Sequence, residues 1–179
     1  MTLQEFEEEI QPYFVPVNFK KKEFFLKKGE VCKEIAFIIR GITSVYTIEE
    51  NNYKCILAFG LENHWITDRE SCFNQKPSKI FIQALEPTSA MIIQRKDFAM
   101  LLNKNELFGT MTSRLKEKNA IVNFNKIDSM KRDSAEMKYH KFLDMFPEIT
   151  QRIPQHMIAS YLGIKPETLS RIRKNPRKK

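Results

Sequence analysis

The spacing of hydrophobic residues changes near residue 96, and this change limits the folds open to the chain. Between about Val17 and Ile93, runs rich in Ile, Phe, Val and Tyr have the pattern of short β-strands. These runs are residues 19–30, 35–48, 53–60, 78–86 and 89–94. The residues placed to reverse the chain between strands are Gly29, Gly41, Asn51, Asn52 and Pro87. Five or more short strands at this spacing predict a barrel or a jelly roll.

From Lys96 onward, hydrophobic residues recur at intervals of three and four, which predicts one long helix or a pair of helices. This stripe comprises Phe98, Leu101, Leu102, Phe108, Met111, Leu115 and Val122. It can form intramolecular core, or it can form the seam of a dimer. We favour the dimer, although Lys118 and Asn125 interrupt the heptad repeat that a coiled coil requires.

The sequence also predicts two shorter amphipathic helices. The first precedes the strands and has Leu3, Phe6 and Ile10 on one face. The second begins near Lys131 and stops before Pro147, because proline cannot continue a helix. Its apolar face comprises Ala135, Tyr139, Phe142, Leu143 and Phe146.

The positive charge of the chain is concentrated in its C-terminal third. The net charge is +8, yet residues 1–112 hold 14 basic and 15 acidic residues, whereas residues 113–179 hold 16 basic and 7 acidic residues. A basic domain of this kind attracts polyanions, and nucleic acid is the commonest polyanion in a cytoplasm. The alternative is a basic tail that only aids solubility.

Residues 153–175 have the pattern of a helix-turn-helix. The inner face of the first helix comprises Ile158, Ala159 and Leu162. Gly163 ends that helix and permits a tight turn, and Ile164 fills the corner. The second helix begins near Pro166, because proline suits the first turn of a helix. Its inward-facing residues are Leu169 and Ile172.

The outward face of this second helix carries side chains suited to a major groove. Arg171 can donate two hydrogen bonds to guanine, and Glu167 can accept one from the N4 amine of cytosine. The candidates for phosphate contacts are Thr168, Ser170, Arg173 and Lys174. The pattern therefore predicts a DNA-binding unit, against the alternative of an ordinary helical hairpin with a solvated charged face.

The run ASYLGIKPETLSRIRK, residues 159–174, resembles the helix-turn-helix of the Crp/Fnr family of bacterial regulators. The run FFLKKGEVCKEIAFIIRGITSVY is similar to the first strands of that family's cyclic-nucleotide-binding-like β-roll. The resemblance implies an α+β fold with a β-roll or jelly-roll sensor domain over 1–100, a linking and dimerisation helix over 101–130, and a helix-turn-helix domain over 131–179. It also implies that Glu167 and Arg171 read bases, and that Thr168 contacts phosphate.

The predicted sensor departs from the family pattern where the ligand chemistry should lie. Relatives that bind cyclic nucleotides carry a Gly-Glu pair followed by Arg-Ser or Arg-Thr, whereas Ser78 or its neighbour stands where that arginine is expected. Because a buried phosphate without a paired cation is strongly disfavoured, we expect no binding of cyclic AMP or cyclic GMP. The nearby cations that could restore such a site are Arg69 and Lys79.

A pocket for another, unidentified effector is the alternative for this region. Its candidate lining residues are Glu62, His64, Trp65 and Arg69, together with Ser78 and Lys79. We favour a structural role for Trp65 in the roll over a role in ligand binding.

Other classes of function find little support in the sequence. Cys32, Cys55 and Cys72 are irregularly spaced, and the histidines form no cluster, so we expect no metal and no cofactor. No catalytic motif occurs, and we expect no enzymatic activity. The apolar runs stop well short of the ~18 residues of a membrane span, and the acidic start MTLQEFEEEI lacks the pattern of a signal peptide. We therefore expect a cytoplasmic protein without a membrane partner.

These observations predict a homodimeric transcription regulator that binds double-stranded DNA, with RNA polymerase as a further candidate partner. Two copies of the second helix would enter successive major grooves about 34 Å apart and so favour a palindromic site. The alternative is a module that binds a small molecule or another protein and has a degenerate helix-turn-helix. Salt-dependent DNA affinity separates the two, because phosphate contacts release counterions.

Overall fold

The computed structural model describes residues 3–50, 52–147 and 149–174. The predicted turn residue Asn51 and the basic end 175–179 lie outside these ranges. The chain divides into two compact units. The N-terminal unit comprises Met1–Thr47 and Leu57–Glu117, and the C-terminal unit comprises Ile48–Ile56 and Lys118–Lys179.

Two four-stranded sheets form the body of the N-terminal unit. The strands are β1 (Val15–Phe19), β2 (Phe24–Leu26), β3 (Glu34–Arg40), β4 (Thr43–Ile48), β5 (Lys54–Gly60), β6 (Trp65–Ile66), β7 (Phe81–Ala84) and β8 (Thr88–Gln94). One sheet has the order β1-β8-β3-β6 and the other has the order β2-β7-β4-β5. This arrangement confirms the predicted β-roll and, with the helices described below, the α+β class.

The register between β3 and β8 explains why these strands are apolar on both faces. Ala36 pairs with Ile92 and Ile38 with Ala90, whereas Ile35, on the opposite face of the sheet, pairs with Ile93. The side chains in these pairs are buried. Strands covered on both faces require nearly continuous apolar runs, which the sequence EIAFII supplies.

Gly41 makes the turn between β3 and β4, as the sequence predicts. Its φ of +107° belongs to a region that favours glycine, and a Cβ there would lie 2.5 Å from Thr88 Oγ1. The N–H of Gly41 donates to Glu62 Oε1 at 2.9 Å, which ties this turn to the segment after β5.

Helices accompany the strands of this unit. They are α1 (Leu3–Ile10), a short 3₁₀ helix (Gln11–Tyr13), α2 (Arg69–Asn74), α3 (Arg95–Lys104) and α4 (Glu106–Arg132). Trp65 lies in an aromatic cluster with Phe37, Phe98 and Phe108, with ring centroids 4.9–6.2 Å from its own. Helix α2 and strand β6 were not anticipated by the sequence patterns.

The apolar stripe after residue 96 forms a pair of helices. Asn105 separates α3 from α4 and caps the second, since its Oδ1 accepts from the N–H of Phe108 at 2.8 Å. Phe98, Leu101 and Phe108 are buried in the core of the N-terminal unit, so this part of the stripe is intramolecular. Later along α4 the apolar side chains become exposed. No described helix is long and apolar enough to cross a membrane.

The C-terminal unit combines the rest of α4 with α5 (Ala135–Met145), α6 (Gln155–Leu162), α7 (Pro166–Lys174) and the tip of the β4–β5 hairpin. Ser134 caps α5, because its hydroxyl accepts from the N–H of Met137 at 3.2 Å. The helix ends before Pro147, as predicted. The buried apolar residues of this unit are Tyr139, Phe142, Ile149, Ile153, Ile158, Ala159, Tyr161, Leu162 and Leu169.

Candidate nucleic-acid interface

The turn between α6 and α7 has the geometry of a glycine-terminated helix. Gly163 adopts a left-handed φ of +65°, which ends α6. Its N–H donates to the carbonyl of Ser160 at 3.1 Å, and the N–H of Ile164 donates to the carbonyl of Ala159 at 3.0 Å. This pair of bonds is a Schellman motif, and it fixes the direction in which the chain leaves α6. Pro166 then begins α7, as the sequence predicts.

An inner layer of small and apolar side chains holds α6 and α7 together. Ala159 and Leu169 are both 0% exposed, and Ile158 and Leu162 are also buried. A larger residue at 159 would separate the two helices, because interiors of this density leave no room for additional atoms. The packing therefore presents the opposite face of α7 to solvent.

The exposed face of α7 lines an open groove of about 750 Å³. Its lining residues are Gln155, His156, Pro166, Glu167, Ser170, Arg171 and Lys174. Four of the six side chains predicted to contact DNA thus lie together, because residues three, four and seven positions apart share one face of a helix. Thr168 and Arg173 lie on the flanks of that face and do not line the groove.

The start of α6 contributes a residue that sequence reasoning missed. Gln155 lines the groove beside His156, and its amide can both donate and accept hydrogen bonds. The signal was available in the sequence, because Pro154 marks the point at which α6 begins and places the next residue in its first turn.

A lysine from α4 contacts Tyr161 of α6, a residue that does not line this groove. The ammonium of Lys126 lies 3.7 Å from the centroid of the Tyr161 ring, within the range of a cation–π interaction. Burial lowers the pKa of Lys126 from 10.5 to about 8, and the neighbouring Cys55 acts in the opposite direction. Burial also raises the pKa of Tyr161.

The lowered pKa of Lys126 predicts a pH-dependent stability. Between pH 8 and pH 10.5 the unfolded chain binds this proton more tightly than the folded protein, so the contribution of Lys126 to the free energy of unfolding rises with pH. Lys126→Met should flatten that rise, as measured by urea unfolding from pH 8 to about pH 9.5. The pH range of this measurement ends below 10, the ordinary pKa of tyrosine. Above pH 10 the raised pKa of Tyr161 makes the free energy of unfolding fall as the pH rises. Equal slopes in both proteins would contradict the prediction.

The residues predicted to line an effector pocket in the N-terminal unit have separate roles. Glu62 accepts from the Gly41 N–H, and Trp65 packs in the aromatic cluster. Arg69 is exposed at the start of α2, whereas the ammonium of the exposed Lys79 lies 3.7 Å from Glu70. His64 Nδ1 lies 3.1 Å from the carbonyl of Glu62. A pocket of about 340 Å³ in this unit is lined by other residues: Tyr13, Val15, Val17, Phe19, Phe25, Glu34, Ile92 and Gln94.

Ser78, which with its neighbour is the position that the resemblance assigns to a phosphate-binding arginine, lies beside a carboxylate. Its hydroxyl donates to Asp68 Oδ2 at 2.7 Å, while Asp68 Oδ1 accepts from the N–H of Ser71 at 3.1 Å. Ser78 and Asp68 are both buried. A cyclic phosphate bound beside Ser78 would meet this carboxylate, and the nearby cations Arg69 and Lys79 are both exposed. These residues do not fit a cyclic nucleotide.

Potential metal ligands are also dispersed. Within residues 3–50, 52–147 and 149–174, no three His, Cys, Asp or Glu side chains come together as a metal site.

A family model and solved structures of other proteins both support the fold. A family model described as cyclic nucleotide-binding domain matches residues 16–105. FixK2 from Bradyrhizobium japonicum is 15% identical and has a TM-score of 0.77, with 90% of this chain and 83% of that chain covered. No curated protein sequence matches the chain significantly.

Two further solved structures share this architecture. The c-di-GMP-responsive global regulator CLP from Xanthomonas campestris is 10% identical and has a TM-score of 0.74, with 96% of this chain and 90% of that chain covered. A structure from Eubacterium rectale described as a transcriptional regulator of the Crp/Fnr family is 16% identical and has a TM-score of 0.69, with 98% of this chain and 83% of that chain covered. At these identities the similarity establishes the fold, and it confirms the resemblance at that level.

Proposed function

Because this chain belongs to the cyclic nucleotide-binding domain family, we propose that it is a sequence-specific DNA-binding transcription regulator of the Crp/Fnr type that does not respond to cyclic AMP. The observation that carries the proposal is the groove of α7, where Glu167, Ser170, Arg171 and Lys174 line one exposed face. A helix-turn-helix presents such a face to the major groove. The predicted assignment of 1–100 to sensing, 101–130 to linking and 131–179 to DNA binding is part of this proposal.

The charges on α7 are arranged for two kinds of DNA contact. Glu167 lies in the first turn of the helix, and Arg171 and Lys174 lie in the last. Arginine and glutamate match base edges, whereas lysine and serine match phosphates. We therefore assign base reading to Glu167 and Arg171, and phosphate contacts to Ser170 and Lys174. Thr168 and Arg173, on the flanks, would contact phosphates farther along the backbone.

The buried pair of Asp68 and Ser78 supports the second half of the proposal. A buried, hydrogen-bonded carboxylate lies beside Ser78, which argues against a phosphate group at this position. The regulator would then respond to another effector, or its activity would follow its own abundance. Contact with RNA polymerase is a further prediction for a regulator of this kind.

We further propose that the protein acts as a homodimer through the exposed part of α4. This segment exposes four large apolar side chains: Ile121, Phe124, Ile127 and Met130. Exposed apolar clusters of this kind mark interaction surfaces. A second copy is the occupant we favour, because one helix face can pair with itself about a two-fold axis and would bring two reading helices to one palindrome.

Selection of bound sequences from a random DNA pool tests the proposed function. The selection is made at about 150 mM salt with and without cyclic AMP, because affinity without a stated salt concentration cannot be interpreted. We expect a palindrome whose half-sites lie about one helical turn apart, recovered equally under both conditions. Enrichment only with cyclic AMP would contradict the reading of the sensor. No enrichment, together with DNA affinity that does not depend on salt, would favour a protein-binding or small-molecule-binding module.

Substitutions on α7 separate base reading from phosphate contact. Arg171→Ala is expected to lose about 1–3 kcal/mol on the preferred sequence and to relax discrimination at one base pair. Lys174→Ala should weaken binding to all sequences similarly and reduce the salt dependence. Titration against probes with single base-pair changes, at two salt concentrations, measures both effects. An equal loss on every sequence from Arg171→Ala would overturn its base-reading role.

A further inference from the structure

One hydroxyl attaches α6 to the β4–β5 hairpin. Ser160 Oγ donates to the carbonyl oxygen of Lys54 at 2.9 Å and accepts from the N–H of Ile56 at 3.0 Å. In an extended strand, the C=O of one residue and the N–H of the residue two positions later point to the same side. A single hydroxyl can therefore satisfy both groups, in the place that a neighbouring strand would take.

The position of β5 explains why this attachment matters. It is the outer strand of the sheet β2-β7-β4-β5. An outer strand presents backbone groups that no further strand pairs. Ile56 is only 2% exposed, so its N–H is shielded from water and requires a protein partner. Ser160 supplies this partner from the first helix of the helix-turn-helix.

The residue next to Ser160 is held from another direction. The Tyr161 ring lies beneath the Lys126 ammonium, which α4 supplies. Within the C-terminal unit, α6 is thus contacted by the hairpin tip through Ser160 and by α4 through Tyr161. Two attachments on adjacent residues restrict both the translation and the rotation of a helix. A helix held by only one of them could still rotate about that point.

We propose that Ser160 is a positioning residue, which fixes α6 on the hairpin and thereby sets the spacing of the two reading helices in the dimer. The proposal rests on the proposed function, because it assumes that α7 reads DNA. The segment of α4 that we propose as the dimer seam lies in the same C-terminal unit as the hairpin tip, so the contacts of Ser160 and Tyr161 hold α6 relative to that seam.

The test uses the full-length protein with Ser160→Ala and Ser160→Thr, and Ser113→Ala on the exposed surface of α4 as a matched control. The probes are the selected palindrome, the same palindrome lengthened or shortened by one base pair between its half-sites, and a single half-site. Loss of the hydrogen bonds should weaken binding of Ser160→Ala to the optimal palindrome about two- to tenfold. Its preference for the optimal spacing should fall, its half-site affinity should be unchanged, and Ser160→Thr should retain the spacing preference.

Amide hydrogen exchange at Ile56 supplies a readout that does not depend on DNA. Exchange of this amide should be faster in Ser160→Ala than in the wild type, and unchanged in Ser113→Ala. Unchanged protection of Ile56 in Ser160→Ala would overturn the attachment itself.

The DNA measurements distinguish the remaining outcomes. If Ser160→Ala loses affinity equally for the half-site and for every palindrome, its role is merely structural and the proposal is overturned. An unchanged spacing preference in Ser160→Ala overturns it as well. Failure of the wild type to bind any probe would instead overturn the proposed function, and the role given to Ser160 with it.

Discussion

Replacing Phe124 with glutamate is expected to convert the proposed dimer to a monomer and to lower affinity for the palindrome by at least about 100-fold. Phe124 is 71% exposed in the single chain, and Ile121 and Ile127, one helical turn to either side, are also exposed. If a second copy covers this face, the glutamate would be buried without a partner, which is strongly unfavourable. Loss of the dimer removes the gain from binding two half-sites with one assembly.

Sedimentation equilibrium of the protein and titration of palindromic DNA measure these two effects. Asn125→Glu is the matched control, because it adds the same charge to the next exposed residue of α4, whose side chain is turned by roughly 100° around the helix axis from that of Phe124. We expect the control to remain dimeric and to bind the palindrome normally. A dimeric Phe124→Glu protein, or equal effects of the two substitutions, would show that the dimer forms elsewhere.

Leu169→Ala should destabilise the C-terminal unit by about 2–5 kcal/mol, the range for removing a large side chain from a core. Leu169 is 0% exposed, and α7 packs against both α5 and α6. Small domains have little stability to spare, so such a loss would leave much of the unit unfolded. DNA binding should then fall on all sequences, since the reading face depends on this packing.

The two units can be followed separately in this experiment. Trp65 is the single tryptophan of the chain and lies in the N-terminal unit, so its fluorescence should report an unchanged transition in Leu169→Ala. Hydrogen exchange of the α6 amides reports on the C-terminal unit and should become faster. Ile172→Ala removes the same number of carbons from a half-buried position, so it should lower the free energy of unfolding by less than Leu169→Ala does. Equal losses from the two substitutions would contradict the burial argument.

The exposed face of α7 was largely predictable, because its determinants are local. The left-handed conformation of Gly163, the start of α7 at Pro166 and the burial of Ala159 and Leu169 all follow from residues within one helical hairpin. Helical periodicity alone then brings Glu167, Ser170, Arg171 and Lys174 to one face. Pro154 indicates that Gln155 lies in the first turn of α6, but its place in the groove also depends on how α6 packs against α7.

The effector pocket was less predictable, because its candidate residues were chosen by their chemistry and by their closeness in the chain. Arg69 and Lys79 looked like cations available to a ligand, yet both lie at the surface. The sequence pattern does not indicate Asp68, although its carboxylate accepts the hydrogen bond of the Ser78 hydroxyl. Its role follows from helix α2, a short element that hydrophobic periodicity does not reveal over so few residues.

The sequence by itself determined most of the succession of strands and helices, the turns at Gly41 and Gly163, and the start of α7 at Pro166, since these follow from backbone preferences and hydrophobic spacing. The tertiary structure alone decided that the tip of the β4–β5 hairpin belongs to the C-terminal unit. Ser160 and Ile56 are 104 positions apart, and no local preference links them. They meet because a shielded backbone N–H at the edge of a sheet must find a partner, and packing places the Ser160 hydroxyl beside it.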